Sequence, residues 1–433
     1  MSADRWNPEQ RAAVERRGHV FVAAGAGTGK TAVLVERVLA QVLGGTPIDR
    51  LLAITFTDRA AAELRRRVRE GLELAGEMEQ ARAVDTAWIS TIHRFCLRIL
   101  RAHAFEAGLD PRFAIADDVR AGMLLHEAFD LALERFLAEG PDRRVDLLAT
   151  YGRRRLRPMM LDAHARLRSA GRPLDLRPAD RCELPPARVA ARAAAEELAG
   201  SGKADGLLAL LDSEQDAAIF TDLSAYRVRK APGNADYTGR LGELEQAARD
   251  ELAAADLAEL ERLLVLLDAA YGDLKDARSL VDFADLELRA RDLLRDRPDL
   301  AESYRERFAD VLVDEFQDTN RLQCELIDLV SGGELFFVGD EFQSIYRFRH
   351  ADVSVYREQR TAAGEGLTAL RRNHRSRPHV IAAVNEAFAR DFGDRYTPLL
   401  AEAGHPGEPP AGGRVELLLT DKAGFREIGR AHV

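Results

Sequence analysis

Short apolar runs, each followed by a helical pattern, recur in the first part of the chain. Residues 20–22, 51–56 and 88–92 are rich in β-branched and aromatic side chains, as buried strands are. The stretches behind them space their apolar residues three and four apart, which is typical of helices. This alternation predicts an α/β fold built on a parallel sheet with helices on both faces. Ahead of the first run, Asn7 and Pro8 predict the start of a short helix.

The next strand-like run, residues 311–313, comes about 200 residues later. A parallel crossover needs only about a dozen residues or a few more, so the gap must contain a domain of its own. Its sequence is rich in Ala, Leu, Arg and Glu, which predicts an inserted all-helical domain. Residues 226–240, which contain Pro and Gly, are its predicted exposed loop. Helical spacing is clearest at four leucines: Leu257, Leu260, Leu264 and Leu267.

A glycine-rich turn follows the first predicted strand and opens a helix. Its glycines let successive backbone N–H groups curl around a phosphate, as in a P-loop. Lys30 would place a point charge between the outer phosphates, and the Thr31 hydroxyl can ligate Mg²⁺. Ala24 occupies the place of the first glycine in the strict pattern. Only five of the 62 basic residues are Lys, yet one falls where an ammonium suits phosphates better than a guanidinium does.

Two later strands are predicted to bring acids and an amide to the same edge of the sheet. Residues 311–313 lead directly into Asp314 and Glu315, at the carboxyl end of a buried strand, where open α/β sheets bind their ligands. Residues 334–340 form another such strand and deliver Asp340 and Gln343. An aromatic series comes next: Phe342, Tyr346 and Phe348.

Composition narrows the class of protein. The chain has 433 residues, 46% of them hydrophobic, and it lacks an apolar run near the ~18 residues that a membrane span requires. Its polar start lacks the apolar core of a signal peptide, so we expect a cytoplasmic protein without a membrane partner. The three scattered cysteines, Cys96, Cys182 and Cys324, fit neither a disulfide framework nor a metal site.

Charge is unevenly distributed along the chain. The net charge is −10, which argues against general coating of nucleic acid. Residues 143–181 nevertheless contain 11 Arg and only four Asp. Two interpretations stay open for this segment: a solvated helix face, or a contact with duplex phosphates.

Taken in order, these motifs resemble those of the superfamily 1 DNA helicases of the UvrD, RecB and AddA group. The resemblance runs from about Trp6 to Arg377, and the order of the motifs is far more specific than any one of them. Asp58 and Arg59 stand where the third motif has Asn and Lys, and His374 stands where relatives carry Tyr, Trp or Phe. The matching segments read WNPEQ, AGAGTGKT, ITFTDRAAA, STIHRFC, VDFADL, VDEFQDTN, GDEFQSIYRFR and NHRS.

The resemblance implies a RecA-like P-loop sheet domain, an inserted all-helical domain and the start of a second RecA-like domain. Residues 1–109 and 300–365 would form the first domain and residues 110–299 the insertion. Residues 366–426 would begin the second RecA-like domain, which the chain leaves truncated.

The resemblance also implies roles for ATP and Mg²⁺. Glu315 would polarise the attacking water, and Lys30 with Arg375 would neutralise charge on the γ-phosphate, whose loss Gln343 would sense. Mg²⁺ would be held by Thr31 and Asp314. The nucleotide would be bound by the P-loop, by hydrogen bonding of adenine to Gln10 and by stacking on His374. The implied nucleotide-binding residues are Gln10, Ala24, Gly25, Ala26, Gly27, Thr28, Gly29, Lys30, Thr31 and His374.

DNA contacts are implied at two places. The third and fourth motifs supply Thr55, Thr57 and His93 as contacts with a single strand. Tyr346 and Phe348 could stack on unpaired bases, worth about 1–3 kcal/mol per base. For both aromatic residues, plain core packing is the alternative. Asp58 can equally serve as an acidic residue at a helix N-terminus.

The function implied is an ATP-driven 3′–5′ DNA helicase or translocase of recombination or repair, acting on single-stranded and duplex DNA. The long insertion and the TIHRFC segment favour the RecB or AddA type, with partner subunits of a helicase–nuclease complex. The alternatives are a UvrD-type repair helicase without nuclease and a DNA-stimulated ATPase that remodels without separating strands. A small-molecule P-loop kinase would leave the ordered later motifs unexplained.

The end of the chain carries a separate expectation. The resemblance calls for further motifs after Arg375, so we expect the amino-terminal part of a longer protein. Residues 427–433 reverse-translate, with suitable codons, into a common sequencing adapter, which indicates an artefactual tail. We expect the 433-residue chain alone to bind ATP weakly and to hydrolyse it poorly.

Overall fold

The computed structural model describes residues 6–138, 142–176, 183–198, 200–214, 216–228, 234–344, 352–393 and 396–402. Its strands are β1 His19–Ala24, β2 Leu51–Thr55, β3 Trp88–Thr91, β4 Ala114–Ile115, β5 Leu280–Val281, β6 Asp310–Val313, β7 Leu335–Gly339, β8 Leu367–Leu370, β9 Arg372–Asn373 and β10 Leu400–Ala401.

Helices make up most of the rest. Those before the chain midpoint are α1 Pro8–Glu15, α2 Lys30–Leu43, α3 Asp58–Leu74, α4 Met78–Ala83, α5 Ile92–Ala102, α6 Asp118–Ala138, α7 Asp142–Tyr151, α8 Arg153–Ser169, α9 Leu184–Glu196 and α10 Gly202–Ser213. Those after it are α11 Asn234–Asp276, α12 Phe283–Asp296, α13 Pro298–Arg307, α14 Arg321–Val330, α15 Val353–Ala362 and α16 Pro378–Phe392. Within the described residues, no helix is both long and apolar enough to cross a membrane.

The chain divides into two compact units, Met1–Gly108 with Leu286–Val433, and Leu109–Asp285. The helical insertion therefore gives way to the sheet-containing unit at residue 286, earlier than the expected residue 300. The domain limits drawn from sequence otherwise stay predictions, and the suspected tail lies outside the described residues.

The first unit contains a six-stranded sheet in the order β3-β2-β6-β7-β1-β8, with every pair parallel. Val20 of β1 lies opposite Phe336 of β7, and Val313 of β6 lies opposite Phe337. These registers bring the carboxyl ends of β1, β6 and β7 to one edge. The α/β fold predicted from the apolar runs is confirmed.

Packing of the strands against helices explains why the runs are apolar. Strand β2 is buried along its whole length, as is β6. Apolar residues of β1, β6 and β7 share one core with Leu34 and Val38 of α2. Strand β8, which the sequence analysis did not predict, pairs with β1 and adds a sixth strand to this sheet.

In the residues that the structure describes, the second unit is helical apart from the two-residue parallel pair β4 and β5. Its axis is α11, whose 43 residues extend about 65 Å at 1.5 Å per residue. One half of this helix buries Tyr237 and Leu241 in a core with α9 and α10. The other half buries Leu260, Leu264 and Leu267 in a core with α6, α7 and α8. One long helix thus supports two cores.

The predicted exposed loop at residues 226–240 was wrong over its last part. Helix α11 begins at Asn234, and Tyr237 within it is 1% exposed. The Tyr237 hydroxyl donates to the carbonyl of Tyr226 at 3.0 Å. Burial of this aromatic ring outweighs the turn-forming residues just before it.

Candidate functional site

The loop between β1 and α2 has the conformation of a phosphate cradle. Gly27 and Gly29 adopt left-handed φ angles of 71° and 92°, which side chains with a Cβ rarely adopt. The Thr28 hydroxyl donates to the Gly25 carbonyl at 2.8 Å and closes the turn. Helix α2 begins at Lys30, so the backbone N–H groups of its first turn, including that of Thr31, face the same concavity. This is an anion-binding site at a helix N-terminus.

Lys30 supplies a positive charge that lacks a full set of partners. Its side chain is 10% exposed, and Nζ lies 3.3 Å from Oε2 of Glu315. Within the described residues, this buried Nζ makes no hydrogen bond. An ammonium group held in this way beside a cradle of N–H groups fits the phosphates of a nucleotide.

Asp314 and Glu315 follow β6, as predicted, and their environments differ. Asp314 is 7% exposed, and its burial, with the charge of Glu315, raises its pKa to about 6. Glu315 has a left-handed φ of 51° and a side chain that is 38% exposed. A non-glycine residue in this conformation is strained, and such strain clusters at functional sites.

A buried carboxylate of this kind suits Mg²⁺. Within the described residues, no group of three or more His, Cys, Asp or Glu side chains could hold a metal ion. Mg²⁺ is commonly bound by one or two protein oxygens together with phosphates and water. Asp314 and the Thr31 hydroxyl are the residues present that fit this pattern.

Two residues, Asp340 and Gln317, connect Gln343 to Glu315 through hydrogen bonds. Gln343 Nε2 donates to Asp340 Oδ2 at 2.5 Å. The Asp340 backbone N–H donates to Gln317 Oε1 at 2.9 Å, and Gln317 Nε2 donates to Glu315 Oε2 at 2.9 Å. The predicted sensor and the predicted water-activating carboxylate are therefore linked by a continuous path of hydrogen bonds.

The NHRS segment lies directly on the P-loop. Asn373 Nδ2 donates to the Ala26 carbonyl at 2.6 Å, and the backbone N–H of His374 donates to the Gly27 carbonyl at 2.9 Å. Asn373 Oδ1 in turn accepts from the backbone N–H of Arg375 at 2.9 Å. The backbone of Arg375 is thereby held beside the P-loop, and its predicted role at the γ-phosphate stays a prediction.

The two residues predicted to bind adenine have other partners in this structure. Gln10 Nε2 donates to the Thr28 carbonyl at 3.2 Å, and Gln10 forms a capping box with Asn7 that fixes the start of α1. The predicted cap at Asn7 and the first-turn Pro8 are confirmed. His374 Nδ1 pairs with the carboxylate of Glu402.

The predicted DNA contacts differ in accessibility. Thr55 is 2% exposed, and its hydroxyl donates to the Thr57 carbonyl at 3.2 Å. The exposed Thr57 caps α3, its hydroxyl accepting from Ala60 N–H at 3.1 Å. His93 Nε2 lies 3.2 Å from Oε1 of Glu287. Tyr346 and Phe348 lie outside the described residues.

Many arginines of the basic segment 143–181 bind carboxylates within the second unit. Part of their charge is thus balanced inside that unit, which supports the first of the two interpretations given above. These pairs include Arg144–Glu259 at 2.6 Å, Arg153–Asp130 at 2.6 Å, Arg166–Asp162 at 2.8 Å, Arg168–Asp268 at 2.9 Å and Arg168–Asp285 at 2.5 Å.

Two residues important to this geometry received no role from the sequence. Gln317 bridges Glu315 and Asp340, and Asn373 bridges Ala26 and Arg375. Gln317 and Asn373 each lie within a motif that the sequence analysis had matched. The feature that could have pointed to them was their amide side chain inside such a motif. Which strand end each amide reaches depends on the fold.

Comparison with known proteins agrees with this site. The sequence profile described as the UvrD/REP helicase N-terminal domain matches residues 6–363. A protein of Pelotomaculum thermopropionicum, named as an ATP-dependent helicase/nuclease subunit, is 33% identical over 88% of this chain and 38% of its own length. Proteins of the same name from Moorella thermoacetica and Desulforudis audaxviator are 32% and 33% identical, over 94% and 90% of this chain and 37% and 40% of their own lengths.

The chain thus spans about two-fifths of the length of the curated relatives it matches. The profile match includes the P-loop, the carboxylate pair after β6 and the strand that leads to Gln343. The shared motifs, their order and the parallel sheet that brings them to one edge establish that the chain belongs to the UvrD/REP helicase N-terminal domain family.

Proposed function

We propose that this chain is the nucleotide-binding part of an ATP-driven 3′–5′ DNA helicase or translocase of the RecB or AddA type. The observation that carries the proposal is the buried Lys30 ammonium, without a hydrogen bond among the described residues and 3.3 Å from Glu315. A cation and a carboxylate are the groups that phosphoryl transfer to water requires, which supports the proposal. The 3′–5′ polarity rests on the family resemblance alone.

In the proposed reaction each side chain has one task. Lys30 and Arg375 offset the negative charge that develops on the γ-phosphate, and Glu315 orients and polarises the attacking water. Thr31 and Asp314 would hold Mg²⁺, which would neutralise part of the negative charge on the phosphates.

The path from Gln343 through Asp340 and Gln317 to Glu315 suggests how hydrolysis is sensed. Loss of the γ-phosphate would release Gln343, and the change would reach the hydrogen bond that Gln317 donates to Glu315. Motion along DNA then requires the protein to grip a strand differently in its two nucleotide states.

The DNA-facing residues of the proposal are Thr57, His93, Tyr346 and Phe348. Thr55 would act through the backbone turn that its hydroxyl stabilises rather than through a direct contact, because its side chain is buried. The relatives are named as one component of a helicase/nuclease, which suggests a partner protein for the whole molecule. A chromosomal DNA substrate would place that molecule in the cytoplasm.

Strand separation distinguishes this proposal from a DNA-stimulated remodelling ATPase. The test follows release of a labelled strand from a 3′-tailed duplex and from a 5′-tailed duplex, with ATP consumption measured in parallel, using the full-length form of the protein. We expect release from the 3′-tailed duplex only. DNA-stimulated ATP consumption without release of either strand would favour the remodelling ATPase and overturn the helicase assignment.

A further inference from the structure

A buried carboxylate outside the nucleotide site connects two motifs of this family. Glu287 lies on α12 and is 4% exposed. One of its oxygens, Oε1, lies 3.2 Å from His93 Nε2 and accepts a hydrogen bond from Gln323 Nε2 at 2.7 Å. Burial raises the pKa of Glu287, while His93 and the hydrogen bonds with Gln323 and Asn320 act against that rise.

Two of the side chains around Glu287 come from the segment proposed to contact DNA and from the helix that follows the proposed catalytic carboxylate, and Asn320 also hydrogen-bonds Glu287. His93 is in the first turn of α5, in the STIHRFC segment, and its side chain is 39% exposed. Gln323 is in the first turn of α14, where it forms a capping box with Asn320. In this capping box the backbone N–H of Gln323 donates to Asn320 Oδ1 at 2.9 Å, and the backbone N–H of Asn320 donates to Gln323 Oε1 at 3.4 Å.

Asn320 ends the segment that carries the proposed catalytic carboxylate. Between them lies a single helical turn, Phe316–Asp318, in which the Asp318 N–H donates to the Glu315 carbonyl at 3.0 Å. A continuous series of contacts therefore leads from a half-exposed imidazole to the backbone of Glu315.

Burying the Glu287 carboxylate costs free energy, so its presence indicates that its contacts with neighbouring side chains are important. An apolar side chain would avoid the penalty of burying a charge, and a buried ion pair contributes little net stability. Glu287 Oε1 contacts both His93 Nε2 and Gln323 Nε2. A change at the His93 ring therefore changes the strength of the hydrogen bond that Gln323 donates to this oxygen. An anionic DNA phosphate that attracts the His93 ring would leave Gln323 and Asn320 as the hydrogen-bond donors to a buried negative charge.

We propose that Glu287 is a positioning residue that transmits engagement of DNA at His93, through Gln323 and Asn320, to the segment carrying Glu315. The inference rests on the proposed DNA-stimulated ATPase and extends it by naming a coupling element. Since Glu287 is buried, it acts through the side chains that it contacts, among them His93 and Gln323.

The experiment compares ATP hydrolysis with and without single-stranded oligonucleotide, in the full-length protein and in Glu287→Gln. This change keeps the side-chain shape and removes the charge that pairs with His93. We expect hydrolysis without DNA to stay within about twofold of the parent and DNA-stimulated kcat to fall roughly tenfold, with a nearly unchanged KM for DNA. Gln323→Leu, which keeps the His93–Glu287 pair, should give the same loss.

Glu325→Gln is the matched control. Glu325 is also on α14, but its side chain is 46% exposed and pairs with Arg291 at 3.5 Å. This substitution should leave both rates unchanged. A double-mutant cycle that combines Glu287→Gln with His93→Ala then tests the path. If both residues act along the same path, DNA-stimulated kcat in the double variant should fall by less than the product of the two single losses.

The outcomes separate the inference from the function on which it rests. A parent protein whose hydrolysis does not respond to DNA overturns the proposed function, and with it this inference. A responsive parent with an equally responsive Glu287→Gln overturns the inference alone. Equal loss of both rates, or losses that multiply in the cycle, would mean that Glu287 serves only the fold.

Discussion

Lys30 and Glu315 show how single residues acquire meaning from the fold. They are 285 positions apart in the sequence, yet parallel pairing of the strands before them brings Nζ and Oε2 to 3.3 Å. The motifs alone singled out both residues and predicted a chemical role for each. The distance between them follows from strand order, which no local pattern contains.

The NHRS segment lies so close to the P-loop that position 27 has no room for a side chain. A Cβ added there would lie 2.7 Å from Arg375 Cβ and 2.8 Å from Asn373 Nδ2, at a φ of +71°. Gly27→Ala should therefore strain the backbone and also displace Arg375 from the P-loop. We expect ATP affinity, measured by titration with a fluorescent analogue, to fall by roughly tenfold or more.

Gly45→Ala provides the control for this prediction. Gly45 has a comparable φ of +97°, but nothing lies within 4 Å of an added Cβ. It carries the backbone cost, about 1–2 kcal/mol, without the clash. Equal ATP affinities for the two variants would show that contact between the NHRS segment and the P-loop is unimportant for binding.

At the scale of elements, apolar runs predicted the strands that are buried on both faces. β2 and β6 have no exposed positions, so their sequences are continuously apolar. β8 alternates between half-buried and buried positions at the edge of the sheet, and its four residues, LTAL, resemble a helix end as much as a strand. Its pairing with β1 is a long-range fact that periodicity cannot supply.

The VDFADL segment illustrates the same limit in the second unit. Asp282 and Asp285 bind the buried ammonium of Lys275, at 3.0 and 2.5 Å. The segment was identified by resemblance, but its acids read equally well as solvent-exposed helix caps. Only the placement of Lys275, at the end of α11, shows that they form a buried ion cluster.

Helix α2 is joined to the rest of its unit by a buried ion pair whose loss should be costly. Arg37 Nε donates to Asp310 Oδ2 at 2.9 Å, and both side chains are fully buried. Arg37 also donates to the carbonyl of Arg16, just after α1, at 2.6 Å. Arg37→Met would leave Asp310 uncompensated, so we expect the free energy of unfolding in urea to fall by about 3–5 kcal/mol.

An exposed arginine serves as the comparison. Arg66, on α3, pairs with Glu63 and Glu70 at 2.7 and 2.6 Å, but its side chain is 53% exposed. Arg66→Met should cost no more than about 1 kcal/mol. The double variant Arg37→Met with Asp310→Leu should recover part of the lost stability. Similar losses for Arg37→Met and Arg66→Met would contradict the role given to the buried pair.

At the scale of the whole molecule, the sequence predicted one sheet-containing part interrupted by a helical insertion. The structure divides the chain in that way, at Gly108 and Leu286. The gap of about 200 residues between strands was enough to reveal the insertion, because a crossover is far shorter. The fold inside the insertion could not be drawn from sequence, since a single 43-residue helix with two cores has the same periodicity as several shorter helices.

In the proposed function, this chain provides the ATP-hydrolysing site of a DNA-dependent motor, with Glu315 as the residue that activates water. The most direct test is steady-state ATP hydrolysis by Glu315→Gln in the full-length protein, with and without single-stranded DNA, beside nucleotide binding by the same variant. Glu325→Gln is again the control for the loss of one carboxylate. We predict unchanged or tighter ATP binding and a loss of hydrolysis of roughly a hundredfold or more under both conditions. Hydrolysis by Glu315→Gln at the parent rate would contradict the proposed role of Glu315 in activating water.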